Sequence, residues 1–258
     1  MHVKDLLSLK GKVVLVTGGA GIYGRCITEG LTEADATVIT GSRSLENGQQ
    51  VAVDFRNKGL DVCAMHLDQS DHDSVIQLKS EIVEKYGRLD VLVNCAVARP
   101  MKNDDAPLDD WKTSMDVNAT GLLDITREMV GLLACKGGGT IVNIASMMGM
   151  FGPDLSNYEG TQMGTPPPDY FFHKGGMIAL TRYWARVLAD QKIRVNAISP
   201  GGIFSGQPEV FVKNYVKKVP VGRMACDDDI KGVVVFLASA ASAYINGENI
   251  LMDGGMHA

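Results

Sequence analysis

The chain has 258 residues with 45% apolar and 21% charged side chains, 29 Gly, 9 Pro and a formal net charge of −5. Ordinary apolar content and glycines without a fixed period exclude collagen-like, low-complexity and disordered classes, and the length suits a single domain over 1–258 built on a sheet covered on both faces. An acidic balance supplies no electrostatic attraction to nucleic acid or to an anionic membrane, so neither is expected as a partner.

No apolar run approaches the roughly 18 residues that a bilayer span requires, and the N-terminal apolar block is too short for a secretory signal. A cytoplasmic protein is the expectation. Cys26, Cys63, Cys95, Cys135 and Cys226 are scattered and form no CxxC pair, and the five His lack HExxH spacing. Neither a disulfide framework nor a metal site is expected.

Taken in chain order, apolar runs mostly rich in Val and Ile fall at 12–16, 37–40, 61–66, 90–94, 140–144, 194–198 and 249–252. Helix-length stretches lie between them at 22–34, 71–86, 109–135, 170–189 and 227–239. The alternation predicts repeated βαβ units, an α/β fold with a doubly wound, mainly parallel seven-stranded sheet buried on both faces. Only 149–169 breaks the rhythm, with Pro153, Gly160, Gly164 and three successive prolines at 166–168. Its composition opposes a regular helix and its length exceeds an ordinary α/β connection, so it reads as an insertion near the functional face.

Between the first strand and the first long helix stand Thr17, Gly18, Gly19, Ala20, Gly21, Ile22, Tyr23 and Gly24. Gly19, Gly21 and Gly24 satisfy GxGxxG in the strand-turn-helix context that gives the motif physical meaning. Glycines permit a tight turn and close backbone approach to a pyrophosphate, and the helix N-terminus offers unpaired N–H groups and a favourable dipole. After the second strand the chain reads Thr40, Gly41, Ser42, Arg43, Ser44, with no acidic residue before Glu46. An acid there would bind the ribose 2′-OH of NAD, whereas Arg43 can pair with a 2′-phosphate. NADP is favoured over NAD; the alternative is that Arg43 is an ordinary solvated loop residue.

Tyr170 and Lys174 form a YxxxK pair opening a helical segment, and i,i+4 spacing puts both side chains on one face. A free tyrosine titrates near ~10, and an adjacent ammonium favours the phenolate, making the group usable as an acid or base. Ser146 follows a buried strand at its C-terminal end, where ligands of open α/β sheets gather. Asn118 lies inside the long helix segment 109–135.

These residues resemble the Asn, Ser, Tyr, Lys tetrad of the short-chain dehydrogenase/reductase family. The likeness extends to LeuAspValLeuValAsnCysAla at 89–96, ArgValAsnAlaIleSerProGly at 194–201, ProValGlyArgMet at 220–224 and MetAspGlyGly at 252–255. It covers essentially the whole chain and implies a Rossmann-type domain that transfers a hydride at nicotinamide C4 while Tyr170 transfers a proton. It further implies that Ser146 hydrogen-bonds the substrate oxygen, Lys174 holds the nicotinamide ribose, and Asn118 positions a water. Cofactor contacts are implied at Gly18, Gly21, Ile22, Tyr23, Ser42, Arg43, at Asp68 beside adenine, at the backbone of Asn94 and Ala96, at Tyr170 and Lys174, and at Ile203 near the carboxamide.

The chain departs from the family pattern in three places. The middle glycine of the usual opening falls on Ile22, with Gly21 one position early, as in the longer branch of the family. Val97 replaces a glycine beside the cofactor. Ser146 and Tyr170 are 24 positions apart, about twice the usual separation. Tyr158 lies 12 positions after Ser146, but Gln162 at its i+4 position supplies no cation, so Tyr170 is read as the base and Tyr158 as packing for a lid or pocket wall.

The expected activity is interconversion of a secondary alcohol and a ketone in a small polar substrate, with a sugar or sugar acid preferred from resemblance to gluconate 5-dehydrogenases. The alternatives are a 3-oxoacyl-carrier-protein reductase and a nucleotide-binding scaffold or redox sensor without turnover. The resemblance also implies a homo-oligomer, a tetramer or dimer, formed through the helices near 109–135 and 170–189.

Overall fold

The computed structural model describes residues 1–258. Its first half comprises α1 (Val3–Leu7), β1 (Val13–Thr17), α2 (Ile22–Glu33), β2 (Thr37–Ser42), α3 (Leu45–Asn57), β3 (Val62–His66), α4 (His72–Tyr86) and β4 (Val91–Asn94). Then come α5 (Leu108–Met115), α6 (Leu122–Ala134), β5 (Gly139–Ile144), α7 (Pro168–Val187), β6 (Ile193–Pro200), α8 (Glu209–Val216), α9 (Asp229–Ala238) and β7 (Asn249–Met252). Each apolar run became a strand, and every pairing is parallel in the order β3-β2-β1-β4-β5-β6-β7.

Alternation along the strands feeds two cores. Leu15, Ile39, Leu92 and Ile141 pack with Leu78 and Ile82 of α4 and Ile125, Met129 and Leu133 of α6. On the opposite face Val14, Val16, Val38, Val93 and Val142 pack with Ile27 and Leu31 of α2 and Ile230, Val234 and Leu237 of α9. Fully burying one such side chain contributes roughly 1.5–3 kcal/mol, so the covered sheet is a rigid base for whatever its edges carry. At the N-terminal ends of the strands Asp90 accepts from the amide of Val13 and pairs with Lys12 and Arg88, joining β1 to β4 far from the C-terminal edge.

Winding reverses between β1 and β4, which opens a crevice at their C-terminal ends. There the Thr17 hydroxyl accepts from the amides of Cys95 and Ala96 at 3.1 and 3.0 Å. Deeper in, Asn94 Nδ2 donates to Asn143 Oδ1 at 2.8 Å, and Asn143 Nδ2 donates to Thr181 Oγ1 at 2.9 Å. This buried polar chain fixes β4, β5 and α7 relative to one another, because an unpaired buried amide is costly.

The helix expected over 109–135 is three pieces: α5, a π-helical turn over Asp116–Gly121, and α6. The bulge buries Asn118 where a regular α-helical turn would place the residue differently. Helices α1, α3 and α8 are absent from the sequence expectation. The apolar stripe of α3 is only Val51, Ala52 and Phe55, packed against Val62, too narrow to stand out beside the strands. A 3-10 turn at Met147–Gly149 leads into 149–169, the segment itself forms only a second short 3-10 turn at Leu155–Asn157, and α7 begins inside the proline run, with Pro168 at the first helical position, where its missing N–H costs nothing.

No helix is long and apolar enough to cross a membrane.

Candidate active site

Gly18 has φ +67°, donates its amide to Gly41 O at 2.7 Å, and is so close to β4's extension that a Cβ would lie 2.7 Å from Ala96 Cα. A Cβ on Gly24 would lie 2.1 Å from Gly18 O. Turn and helix therefore pack backbone to backbone, leaving the amides of Ile22, Tyr23 and Gly24 without acceptors in the chain. Such an end suits a pyrophosphate, so the residues present fit a dinucleotide. Ile22 is 55% exposed and lies outside this steric contact. Tyr23 instead reaches across the crevice and donates its hydroxyl to Gly201 O at 3.1 Å; burial raises its pKa.

Arg43 is exposed at the end of β2 and makes no ion pair within the chain. Asp68 accepts from the amide and hydroxyl of Ser70, which with the nearby Arg43 charge holds its carboxyl below the usual range despite some burial. Ser42 donates to Ser44 O. Ile203 is 8% exposed and its side chain belongs to the core, paired by one bridge to Ala225.

The tetrad residues come from three places: Asn118 from the π-helical turn, Ser146 from the turn after β5, and Tyr170 and Lys174 from α7. Lys174 on α7 is buried and donates to Ile144 O, the last carbonyl of β5, at 2.6 Å. Burial lowers its pKa, opposed by the Tyr170 phenol and the Cys95 thiol. Its Nζ lies 5.7 Å from the Tyr170 ring centroid. Ser146 caps the 3-10 turn that follows β5, accepting from Met148 N at 3.1 Å, and makes no hydrogen bond to Tyr170. Gly149 ends that turn so close to α7 that a Cβ would meet the Lys174 carbonyl carbon at 2.6 Å, which draws the Ser146 turn against α7.

Asn118 is engaged on every side. Its Nδ2 donates to Ala98 O at 2.8 Å and Ser114 Oγ at 3.0 Å, and its Oδ1 accepts from Ala98 N at 2.9 Å. Where the sequence expectation gives it a water, the structure has it clamp the peptide of Ala98. Burial pushes the Cys95 thiol up to about 11.

Two residues here are absent from the sequence expectation. His173 is buried edge-on to Tyr170, 5.2 Å between ring centroids, and neither ring nitrogen has a partner. Burial, then the Lys174 and Arg99 charges, push its pKa down to about 3, so it is neutral. The YFFHK string contained it, three residues after Tyr170. Arg99 places its guanidinium carbon 4.5 Å from the Tyr170 centroid; no sequence pattern connects a loop after β4 with the start of α7.

Within the 149–169 segment, Lys218 binds Asp154, Ser156 and Asn157, and Asn214 donates to Glu159 O. Phe151 stacks on His257 at 3.8 Å, and Tyr158 meets Phe211 at 5.3 Å. Burial raises the Tyr158 pKa, the wrong direction for a base. A hollow of about 320 Å³ lined by Gln69, His72, Asp116 and Arg127 lies apart from the tetrad.

The family model described as Enoyl-(Acyl carrier protein) reductase matches residues 18–257. The chain is a short-chain dehydrogenase/reductase. This oxidoreductase is 33% identical to a 3-oxoacyl-acyl-carrier-protein reductase of Thermotoga maritima, over 97% of the chain and 99% of the relative. It is 34% identical to a 2-dehydro-3-deoxy-D-gluconate 5-dehydrogenase of Bacillus subtilis, over 98% of both. A crystal structure of a gluconate 5-dehydrogenase from Burkholderia cenocepacia in complex with NADP and tartrate superposes with a TM-score of 0.87 at 27% identity, over 99% of this chain and 98% of that one. Family membership makes the enzyme a nicotinamide-dependent dehydrogenase.

Proposed function

We propose that this dehydrogenase interconverts a secondary alcohol and a ketone in a sugar acid or a similar small polar molecule, and prefers NADP. The observation that carries the reading is the meeting of Tyr170, Lys174 and an unpaired Arg99 beside the Ser146 turn at the C-terminal edge of the sheet. When bound, nicotinamide accepts or supplies the hydride. Tyr170 takes the substrate hydroxyl proton in oxidation and returns it in reduction. Lys174 and Arg99 stand beside the ring from which that proton moves.

Ser146 Oγ donates to the substrate oxygen, and Lys174 uses its remaining N–H groups on the nicotinamide ribose. Asn118 holds the Ala98 peptide, and with it the segment carrying Arg99. The open amides of Ile22 to Gly24 receive the pyrophosphate, Arg43 pairs with the 2′-phosphate, and Asp68, Asn94 and Ala96 border the adenosine. The 149–169 segment forms the wall of the substrate space.

The relatives' names support a sugar-acid substrate on one side and a carrier thioester on the other. A net charge of −5 opposes docking of an acidic carrier. Exposed Phe172, Tyr183 and Val187 along α7 support a homo-oligomer, a tetramer or dimer. A panel of polyols, sugar acids and their ketones, with acetoacetyl thioester as the rival, read by NADPH absorbance, tests the reading. Turnover of a sugar acid with the thioester inert is the expected result; the reverse refutes it.

A further inference from the structure

We infer that Arg99 is the residue that selects an anionic substrate, by binding a carboxylate carried a few carbon atoms from the reacting carbon. The inference rests on the sugar-acid reading and deepens it. Arg99 is exposed, forms no ion pair and no side-chain hydrogen bond, yet its guanidinium stands 4.5 Å from the centre of the Tyr170 ring. Other cations of this chain lie against an acid, Lys231 against Glu29, Lys79 against Glu128 and Arg223 against Asp229, whereas Arg99 has an aromatic face as its neighbour. A guanidinium stacked on an aromatic face keeps its N–H fork free, and that fork matches a carboxylate through two parallel hydrogen bonds.

Its position is held rather than accidental. The neighbouring Ala98 peptide is bound through both its N–H and its carbonyl by Asn118, and Lys102 Nζ donates to the Arg99 carbonyl at 3.0 Å. Beyond Arg99 the chain meets the inserted segment, where Gly164 lies against Lys102 and Asn103. The loop after β4 and the insertion therefore border one space, with Tyr170 and Arg99 on the same side of it. The charge reaches inward too, since Arg99 contributes to the lowered pKa values of His173 and Lys174. A substrate carboxylate would neutralise that field at the same time as it orients the carbinol toward Tyr170. An acyl thioester brings no such anion and would leave Arg99 unpaired.

The test is calorimetric binding to the NADP-loaded enzyme of D-gluconate, D-galactonate and lactate, each against its own amide, for wild type, Arg99→Ala and Arg99→Lys, with melting temperatures as a check on folding. At least one acid is expected to bind the wild type tenfold or more tightly than its amide. Arg99→Ala is expected to abolish that preference while binding the amide as before, and Arg99→Lys to retain part of it, because a lysine keeps the charge and loses the fork. The inference is overturned if no acid is preferred in the wild type, or if the preference survives in Arg99→Ala. Wild-type turnover of a sugar acid that is untouched by Arg99→Ala removes the role of Arg99 and leaves the sugar-acid reading standing. Charge-selective binding that depends on Arg99, without turnover of any sugar acid, removes the reading and leaves the anion site.

Discussion

Gly24→Ala isolates the part of the nucleotide turn that geometry makes indispensable. The added Cβ would lie 2.1 Å from Gly18 O and 2.8 Å from Gly19 Cα, where ordinary contact begins at 3.4 Å, so turn and helix must part by about 1.3 Å. Gly18 is held by its amide on Gly41 O at 2.7 Å and has no room beside Ala96, where even a Cβ would lie 2.7 Å from Cα. Helix α2 retreats instead, and its terminal amides move from roughly 2.9 Å to about 4 Å from a phosphate oxygen, beyond hydrogen-bond range. Losing two charge-assisted bonds at about 1.5–3 kcal/mol each weakens NADPH binding by roughly 10²–10⁴-fold.

Gly21→Ala is the contrast within the same motif. Its Cβ meets only Gly18 O at 3.2 Å, and Gly21 has an extended φ of −74° at the helix N-cap. The variant gives up about 1 kcal/mol of helix capping at most, less than about fivefold in affinity. NADPH fluorescence titration measures both, with circular dichroism to establish folding. Equal losses in the two variants, or wild-type binding by Gly24→Ala, would refute the steric argument.

Tyr170→Phe should reduce turnover by at least ~10²-fold while NADPH affinity changes only a few-fold, since the ring and its contact with Arg99 remain; steady-state rates that match wild type would remove Tyr170 as the proton carrier. Arg43→Ala should weaken NADPH about tenfold or more and NADH less than about threefold, and parallel losses in the two titrations would count against the 2′-phosphate pairing. Burial alone would raise the Asp90 pKa, but Arg88, the Val13 amide and Lys12 outweigh it and lower the folded value. Asp90 therefore contributes stability above its unfolded pKa of about 3.9, and loses it as pH falls through the folded value. Asp90→Asn should melt well below wild type at pH 7, by about 2–3 kcal/mol, and the gap in melting temperature should narrow as the pH falls below about 4; a gap independent of pH would contradict the assignment.

Much of this molecule is legible in one dimension. Strands buried on both faces must be apolar along their whole length, so runs such as 12–16 and 90–94 announce themselves, and a YxxxK pair on one helix turn needs no tertiary information to be seen. The turn at Thr17 to Gly24 is equally local. Helix α3 was not legible, because its three inward residues meet only the sheet's edge. Nor was the break in the helix over 109–135, where a π-helical bulge exists to bring Asn118 onto the Ala98 peptide.

What the sequence by itself determined is the layered parallel sheet, the nucleotide turn and the Tyr170–Lys174 pair, each a product of short-range period, turn chemistry or i,i+4 spacing. The order of the strands, the Asn94–Asn143–Thr181 chain, the seat of Lys174 on Ile144 O and the stacking of Arg99 over Tyr170 arose only in three dimensions. Those contacts join segments far apart in the chain, and no local pattern encodes which loop end will come to rest over which helix start.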